Sequence, residues 1–585
     1  MPRDSLVQKG RPHMNEPVII TNPARCRDCY RCVRHCDVKA IRVHDGQAQV
    51  VPELCILCGT CIRTCPQKAK DVHSATQDVK QALKDRRKLI ASVAPSAPAY
   101  FGYSHFSEIE AALKQLGFYA SEETAAGAEI VGLAHRDYME QKPDQRPVIA
   151  SSCPVIVNLI EKYHPDLIPH LAPIVSPMIA HGRMLAQKYG PDAYIVFIGP
   201  CIAKKLEILD ASEAGTVSAA MTFRGLAHWF EEAGIVFNKA NSSAESLSAV
   251  DARLFPVEGG LIGTAGLSTD MLNNSLVVAS GLETCQDILG DIRAGQLNAS
   301  LVELMACTGG CINGPAMADL EGGIYAARQK IIDYHRNRPA YEMVPRESWP
   351  DLSRTYTDKK QPVPEFSEEQ IKDVLHRVNK YTPEDELNCG ACGYSSCREK
   401  AIATLRGMAE VTMCIPYMRS HSESLRQVVM DVSPNSIIIV DDHLCIQDMS
   451  PSAEHLFGCL LTDVKGKHLS RLIPLYDDFI TVRDTGKPVI GKIRRINDAI
   501  VAEQNIVRVE GQSLLVAIMR DITEHETEKQ KFHQLRSQTL EQTREVVRKQ
   551  MRVAHEIAHL LGETTAESKM IVTHLAKILE EEESK

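Results

Sequence analysis

The 585-residue chain has no apolar run approaching the roughly 18 residues that a membrane-spanning helix needs, which excludes a helical membrane anchor as a reading. Its first residues, MPRDSLVQKGRPHMNEP, lack the apolar core of a signal peptide, so a cytoplasmic protein is expected. Positive charge is not in excess. Lys and Arg total 66 against 75 Asp and Glu, for a formal net charge of −9 and a pI near 6.2, which argues against a nucleic-acid footprint. The glycines of EGGLIGTAG are not followed by Gly-Lys-Ser/Thr, so no phosphate loop is assigned. No kinase, phosphatase, methyl-accepting or DNA-binding output is recognisable either. The length allows about three to five domains with ample core.

What the chain does have is cysteine, nineteen in all, and the residues fall into groups. Cys26, Cys29, Cys32 and Cys36 form one C-x2-C-x2-C-x3-C run, and Cys55, Cys58, Cys61 and Cys65 form a second, followed by Pro66. Thiolate sulfur suits iron. In the two-cluster ferredoxin pattern the fourth cysteine of each run ligates the other cluster. That pattern assigns Cys26, Cys29, Cys32 and Cys65 to one 4Fe-4S cluster, and Cys36, Cys55, Cys58 and Cys61 to the other. Disulfides or zinc sites are the competing reading, and the doubled spacing sets them aside. Cysteines kept as metal ligands also belong in a reducing compartment.

Further along, SSCP holds Cys153, GPCIAKKLE holds Cys201, and ELMACTGGCINGPA holds Cys307 and Cys311. Scattered cysteines are usually small buried hydrophobes. Here Gly, Pro and small residues surround all three groups, as a backbone wrapped closely around a cluster requires. These segments resemble the three signature loops of the FeFe hydrogenases, across roughly residues 90–335. The resemblance implies an H-cluster, a 4Fe-4S cubane joined to a diiron unit bearing CO, cyanide and a dithiolate. Cys153, Cys201, Cys307 and Cys311 would hold the cubane, with Cys311 the bridge. Ala94, Pro95 and Ser96 would line the diiron site, Pro200 and Lys204 would meet cyanide, and Met305 would pack beside the cluster. An ammonium donates charge-assisted hydrogen bonds to an anionic ligand, which gives Lys204 a physical reason.

Departures from the family pattern fall on proton transfer. Ser152 replaces the cysteine that relays protons in fast members, and a hydroxyl is far less acidic than a thiol of pKa about 8.5. Ala172 stands where a relay serine is placed, Gly199 where the second loop opens with methionine, and Met178 near the distal iron in place of glutamine. The third loop ends GPA. Glu129 is a candidate relay carboxylate. The expectation is an enzyme of low turnover.

Beyond the third loop, Cys389, Cys392, Cys397 and Cys414 are spaced C-x2-C-x4-C-x16-C and resemble a small 4Fe-4S domain, with zinc as the competing ligand chemistry. REKAIATLRGMAEVTM reads as one helix returning the chain to the cluster, and the Pro-, Lys- and Glu-rich stretch before the site as a partly ordered connector. KDRRK reads as a solvated helix face. From about 424, two strands, short helices and three strands closing on Asp521-Ile522-Thr523 resemble a PAS domain, with Cys445 and Cys459 expected as buried core thiols. In the tail, Leu540, Val547, Ala554 and Leu561 recur every seven, with Met551 and Ala558 four residues after two of them, as in a coiled-coil seam. His555-Glu556-Ile557-Ala558-His559 matches the zinc-protease pattern. It is rejected because it lies on that helix with no substrate domain around it.

The expected architecture is multidomain α+β and α/β. It comprises a two-cluster ferredoxin-like domain (16–75), an FeFe-hydrogenase H-cluster domain (88–345), a linker (346–375), a 4Fe-4S domain (376–420), a PAS domain (424–525) and a helical coiled-coil tail (526–585). The overall pattern resembles the sensory, PAS-bearing FeFe hydrogenases. That resemblance implies slow chemistry on H2 and protons, three 4Fe-4S clusters besides the H-cluster, and a redox state relayed to a partner kinase, phosphatase or regulator. Ferredoxin or another electron carrier, hydrogenase maturation proteins and a second copy of the chain are the other expected partners; nucleic acid and membrane are not. Two alternatives stand beside it: a fully competent ferredoxin-linked hydrogenase, and a non-catalytic iron–sulfur electron-transfer or interaction protein.

Overall fold

The computed structural model describes residues 17–210, 216–235, 252–268, 270, 275–317, 322–337, 343–497, 499–509 and 511–582. Most of the N-terminal stretch read against a signal peptide lies outside them. The chain divides into two compact units, Met1–Met418 and Arg419–Lys585.

The doubled cysteine spacing produces a doubled backbone. Strands β1 (Ile19–Thr21), β2 (Ile41–His44), β3 (Gln47–Val50) and β4 (Lys70–Val72) form two antiparallel pairs, β1 with β4 and β2 with β3. Asp28 and Leu57, each just before the second cysteine of its run, have φ of 52° and 62°. Tyr30 and Gly59, each just after it, have φ of 52° and 74°. Left-handed conformers at matched positions turn both runs around a centre and open the short helices Arg31–Arg34 and Thr60–Thr64.

The middle of the unit is built on two all-parallel sheets. Strands β5 (Leu89–Val93), β6 (Ala120–Glu123), β7 (Val148–Ile149), β8 (Tyr194–Gly199), β9 (Ala219–Thr222), β10 (Leu276–Ser280) and β11 (Leu301–Met305) are ordered β6-β5-β8-β9 and β10-β11-β7. Parallel strands covered on both faces read as continuous apolar runs, and every residue of β5 (LIASV) and β11 (LVELM) is buried. Ligand sites in such sheets form beyond the carboxyl ends of strands. The three cysteine loops follow the ends of β7, β8 and β11.

The connector is more ordered than its composition suggests. Ile174 and Ser353 form a β-bridge, and the Arg354 and Lys359 amides donate to the Pro173 and Glu161 carbonyls at 3.1 and 2.9 Å. This strap returns to the parallel-sheet region and pairs with it. Past it, helices Glu368–His376 and Cys397–Leu405 pack on Ile371, Val374, Leu375 and Ala401. The second helix is shorter than expected, because the chain turns at Gly407 (φ 68°) and resumes as a 3-10 turn, Val411–Met413. Likewise KDRRK straddles the end of helix Thr76–Lys84, and Arg86 at φ 55° breaks it.

In the second unit, β12 (Ser436–Asp441), β13 (Ile446–Met449), β14 (Val489–Arg495), β15 (Val501–Arg508) and β16 (Leu514–Asp521) form one antiparallel sheet in the order β13-β12-β16-β15-β14. Asp521 Oδ1 accepts from the Thr523 amide at 2.9 Å, and Thr523 Oγ1 accepts from the Val501 amide at 2.9 Å, so the D-I-T triplet ties the sheet to the start of helix Thr523–Glu582. Leu540, Val547, Met551 and Leu561 are exposed on that helix. Cys445 and Cys459 are half-buried rather than core thiols. The fully buried cysteine outside the predicted cluster sites is Cys285, in the first unit.

Candidate active site

One cavity is lined by Cys153, Cys201, Cys307 and Cys311 together with Ser152, Pro200, Lys204, Glu303 and Met305. Cys153 occupies the N-cap position of helix Pro154–Tyr163. Burial pushes the Cys201 thiol up to about 11, and burial with the neighbouring thiols raises Cys307 and Cys311 well above the ordinary range. Without an electrophile these groups stay neutral thiols; bound iron would take them as thiolates. Glycine is obligatory at 310. Its φ is 100°, and a Cβ there would lie 2.3 Å from the Pro256 carbonyl oxygen.

Lys204 is held from behind. Its Nζ donates to Glu207 Oε2 at 2.8 Å, and Arg354 of the strap donates to Glu207 Oε1 at 2.9 Å. Burial alone would raise the Glu207 carboxyl, but Lys204 and Arg354 outweigh it and hold it below its usual value. The buried carboxylate therefore stays charged and keeps an ammonium at the cavity wall.

Ala94, Pro95 and Ser96 do not line this cavity. β5 and β8 run in parallel register, Val93 beside Ile198, so the loop after β5 flanks Gly199 and Pro200 instead. A Cβ on Gly199 would lie 2.6 Å from the Phe197 ring and 3.2 Å from the Ala94 Cβ, so the phenylalanine fills the room a methionine would need. The other departures are equally closed. Ala172 and Met178 are fully buried, and the Tyr356 hydroxyl from the strap donates to the Ala172 and Ile174 carbonyls at 3.1 and 3.0 Å. Glu129 is buried on helix Ala125–Gln141. Ser152 Oγ and Ser96 Oγ are buried without a hydrogen-bond partner among the described residues.

Sequence reasoning missed two groups. Glu303 lines the cavity on β11, and the Leu261 and Ile262 amides donate to its oxygens at 3.4 and 3.1 Å. Burial dominates and pushes its carboxyl up to about 7, with exposed Glu258 adding to the rise. His135 is fully buried beside the first loop. Its Nδ1 donates to the Val131 carbonyl at 2.7 Å and its Nε2 accepts from the Ser151 amide at 3.2 Å, and burial lowers its pKa to about 4, so the ring is neutral.

At the N-terminal runs, Cys32 feels Cys26 and Cys29, while Cys61 feels Cys58, Cys55 and Cys36. Gln67 Oε1 lies 3.7 Å from Cys29 Sγ and 4.0 Å from Cys65 Sγ, joining the ends of the first set. The second set faces the hydrogenase-like loops. A Cβ on Gly59 would lie 2.4 Å from Pro315, and Arg63 donates to the Asn313 carbonyl at 3.0 Å. Cys389, Cys392, Cys397 and Cys414 line one further cavity. Among the described residues, no three His, Cys, Asp or Glu side chains are grouped for a single metal ion.

Residues 87–315 match the family described as the iron-only hydrogenase large subunit, C-terminal domain, residues 18–66 match a 4Fe-4S dicluster domain, and 385–416 match an Fe-S cluster family. The periplasmic Fe hydrogenase large subunit of Nitratidesulfovibrio vulgaris is 30% identical over 366 residues, spanning 52% of this chain and 87% of that protein. The cytosolic Fe-S cluster assembly factor NAR1 of Eremothecium gossypii is 26% identical over 323 residues, spanning 42% of this chain and 70% of that protein. An FeFe hydrogenase structure from Chlamydomonas reinhardtii matches with a TM-score of 0.38 and 18% identity, over 48% of this chain and 99% of that one. The chain is a hydrogenase-like iron–sulfur protein and belongs to the FeFe, or iron-only, hydrogenase family.

Proposed function

We propose that this chain interconverts dihydrogen with protons and electrons slowly, at an H-cluster held by Cys153, Cys201, Cys307 and Cys311, and that it reports hydrogen rather than consuming it in bulk. The donor set fits that group. Four soft thiolates face one cavity, a fixed ammonium stands at its wall, and Ser152 Oγ is a buried hydroxyl without a protein partner among the described residues. When bound, the diiron unit would supply the redox chemistry of dihydrogen. The chain's own residues orient that unit and exclude water, with Lys204 offering hydrogen bonds and Met305 and Pro200 the apolar wall.

One observation carries the slow reading. The cavity keeps its cysteines and Lys204 while the expected proton side is filled by Ser152, Ala172, Phe197 and the Tyr356 strap. Glu303 is then the titratable carboxyl that faces the cavity, and its two oxygens can hold a proton near neutral pH.

The reporting role draws support from the second unit. Its β13-β12-β16-β15-β14 order and D-I-T junction suit a PAS domain, and the exposed apolar seam of helix Thr523–Glu582 suits pairing with a second copy. The signal would leave through a partner such as a kinase, phosphatase or regulator. The other cysteine sets, by their sequence spacing, suit 4Fe-4S clusters in a reducing compartment, with ferredoxin as a candidate donor or acceptor and maturation proteins supplying the diiron unit.

A second reading is favoured by the likeness to the cytosolic Fe-S cluster assembly factor: a non-catalytic protein whose hydrogenase-like site holds only a cubane. Anaerobic infrared spectroscopy of matured protein under nitrogen and then hydrogen, with turnover assayed on the same sample, separates the two. Reversible shifts of CO and cyanide bands with slow turnover are expected. Absent or hydrogen-indifferent bands would establish the second reading, and fast turnover would make Ser152 a tolerated substitution in an ordinary hydrogenase.

A further inference from the structure

The third cysteine site holds more buried lysine than either N-terminal set. Its cavity is lined by Cys389, Cys392, Cys397 and Cys414 and by two lysines, Lys380 and Lys400. Lys400 is 4% exposed, its Nζ donates to the Val411 carbonyl at 3.1 Å, and its electrostatic partners include Cys414, Cys392 and Cys397. Lys380 is 7% exposed and its Nζ donates to the Asp385 carbonyl. Both of these bonds go to backbone carbonyls rather than to carboxylates. Nearby Glu399 instead accepts from the Ser395 amide at 2.9 Å, and Glu410 from the Asp45 amide at 2.5 Å.

The N-terminal sets divide two buried lysines between them, and half-buried Lys39 also stands in the field of Cys36. Lys70 Nζ donates to Thr21 Oγ1 at 2.6 Å and stands in the field of Cys32 and Cys61, one from each set. Lys162 Nζ donates to the Cys55 carbonyl at 2.8 Å. That gives about one buried cation per set there, against two for the single set at Cys389–Cys414. Cys389 is also exposed. Net charge around the cluster and solvent exposure are two of the levers that set an iron–sulfur potential.

The site is joined to the ferredoxin-like module without a gap. A Cβ on Gly393 would lie 2.9 Å from Val33 and 3.0 Å from the Arg34 amide nitrogen, and Arg34 donates to both the Ala391 and Cys29 carbonyls, at 2.9 and 3.0 Å. Tyr394 is 3% exposed, stands in the field of Cys392 and of Cys36, and its hydroxyl has no partner among the described residues. A buried donor left open between two thiolate sets is what a sulfur acceptor on either side would satisfy.

We propose that Lys380 and Lys400 make the Cys389, Cys392, Cys397 and Cys414 site the point in the first unit where an electron comes to rest, reached from the Cys36 set past Tyr394. One electron is gained at this site and one is lost at the Cys36 set, with no bond made or broken. The added negative charge meets two ammonium groups already fixed in a low-dielectric pocket, so the reduced state is favoured here over the N-terminal sets. This rests on the iron–sulfur reading of the cysteine sets and would give the hydrogen reporter its readout.

The test is an EPR-monitored redox titration of the full chain with reconstituted iron, using mediators and a chemical reductant. The third signal is identified as the one lost in Cys397→Ser. In wild type it should titrate above both N-terminal signals. Lys400→Met should lower the reduced-to-oxidised ratio at fixed potential about tenfold, which is about 59 mV for one electron, while Lys400→Arg restores it and the N-terminal midpoints stay put. Lys380→Met should shift it the same way and serves should Lys400→Met not fold. An unmoved midpoint, a wild-type site titrating below the N-terminal ones, or zinc in place of the third iron signal would overturn the proposal. Because no hydrogen is used, missing CO and cyanide bands would sink the hydrogen reading and leave this titration untouched.

Discussion

Glu303→Gln has an effect on stability that can be worked from the structure. The carboxyl is 4% exposed, and burial pushes its pKa from 4.5 to about 7, against the pull of the Ile262 and Leu261 amides. A rise of that size corresponds to about 3 kcal/mol. Between about pH 4.5 and 7 the folded chain keeps a proton that the unfolded chain releases, so this contribution falls as pH rises and is fully lost above about 7. Glutamine cannot ionise, and its carbonyl can still accept from one of the two amides, so the lost hydrogen bond costs about 1 kcal/mol at any pH. Glu303→Gln should therefore be slightly less stable than wild type near pH 5 and more stable near pH 8. Both tryptophans, Trp229 and Trp349, lie in the first unit, so urea unfolding followed by tryptophan fluorescence reports the relevant domain. A wild-type-minus-variant difference that stays flat from pH 5 to 8 would refute the argument.

Arg354→Met leaves the buried Glu207 with Lys204 alone, and breaking a buried ion network of this kind costs about 3–5 kcal/mol, measurable as a fall in the same unfolding midpoint. In matured protein the cyanide bands should also shift, because Lys204 loses its fixed position. Gly59→Ala forces a methyl to within 2.4 Å of Pro315 at a φ of 74°, and a cost of about 1–3 kcal/mol should appear as faster amide exchange across Thr60–Thr64. Ser152→Cys puts a thiol of pKa about 8.5 at the cavity wall and should raise turnover with the infrared bands little changed; unchanged turnover would place the limit elsewhere.

The cysteine groupings and their turns were legible because their information is local. Each C-x2-C-x2-C-x3-C run fixes its own turns, and the left-handed residues recur at the same offsets in both. The pairing of the parallel strands is not legible in the same way, yet it explains why the three cysteine loops meet, since each follows a strand's carboxyl end. What stayed hidden depends on distant pairing. Glu303 reads as an ordinary polar residue in LVELM until Leu261 and Ile262 fold against it, 42 and 41 residues away in sequence. Arg354 and Tyr356 sit in a Pro- and Lys-rich stretch that composition marks as a connector, and their partners Glu207 and Ala172 lie 147 and 184 residues earlier.

The strap bears on how a change at the cavity of Cys153, Cys201, Cys307 and Cys311 could reach the third cysteine site. It places Arg354 on Glu207 and Lys359 on Glu161, then runs directly into the domain that carries Cys389–Cys414. Lifting it would strand Glu207 with one partner in place of two, at the cost given above, and would also free the Tyr356 hydroxyl from two carbonyls. The same domain is fitted to the ferredoxin-like module at Gly393, where not even a methyl has room. Mechanical movement between the two sites thus works against several kcal/mol of buried pairing, whereas a change of one unit charge needs no displacement at all. Under the proposed electron route, the two lysines at the far end are the feature a charge-borne signal requires, and the close fit at Gly393 is what would keep its last step constant.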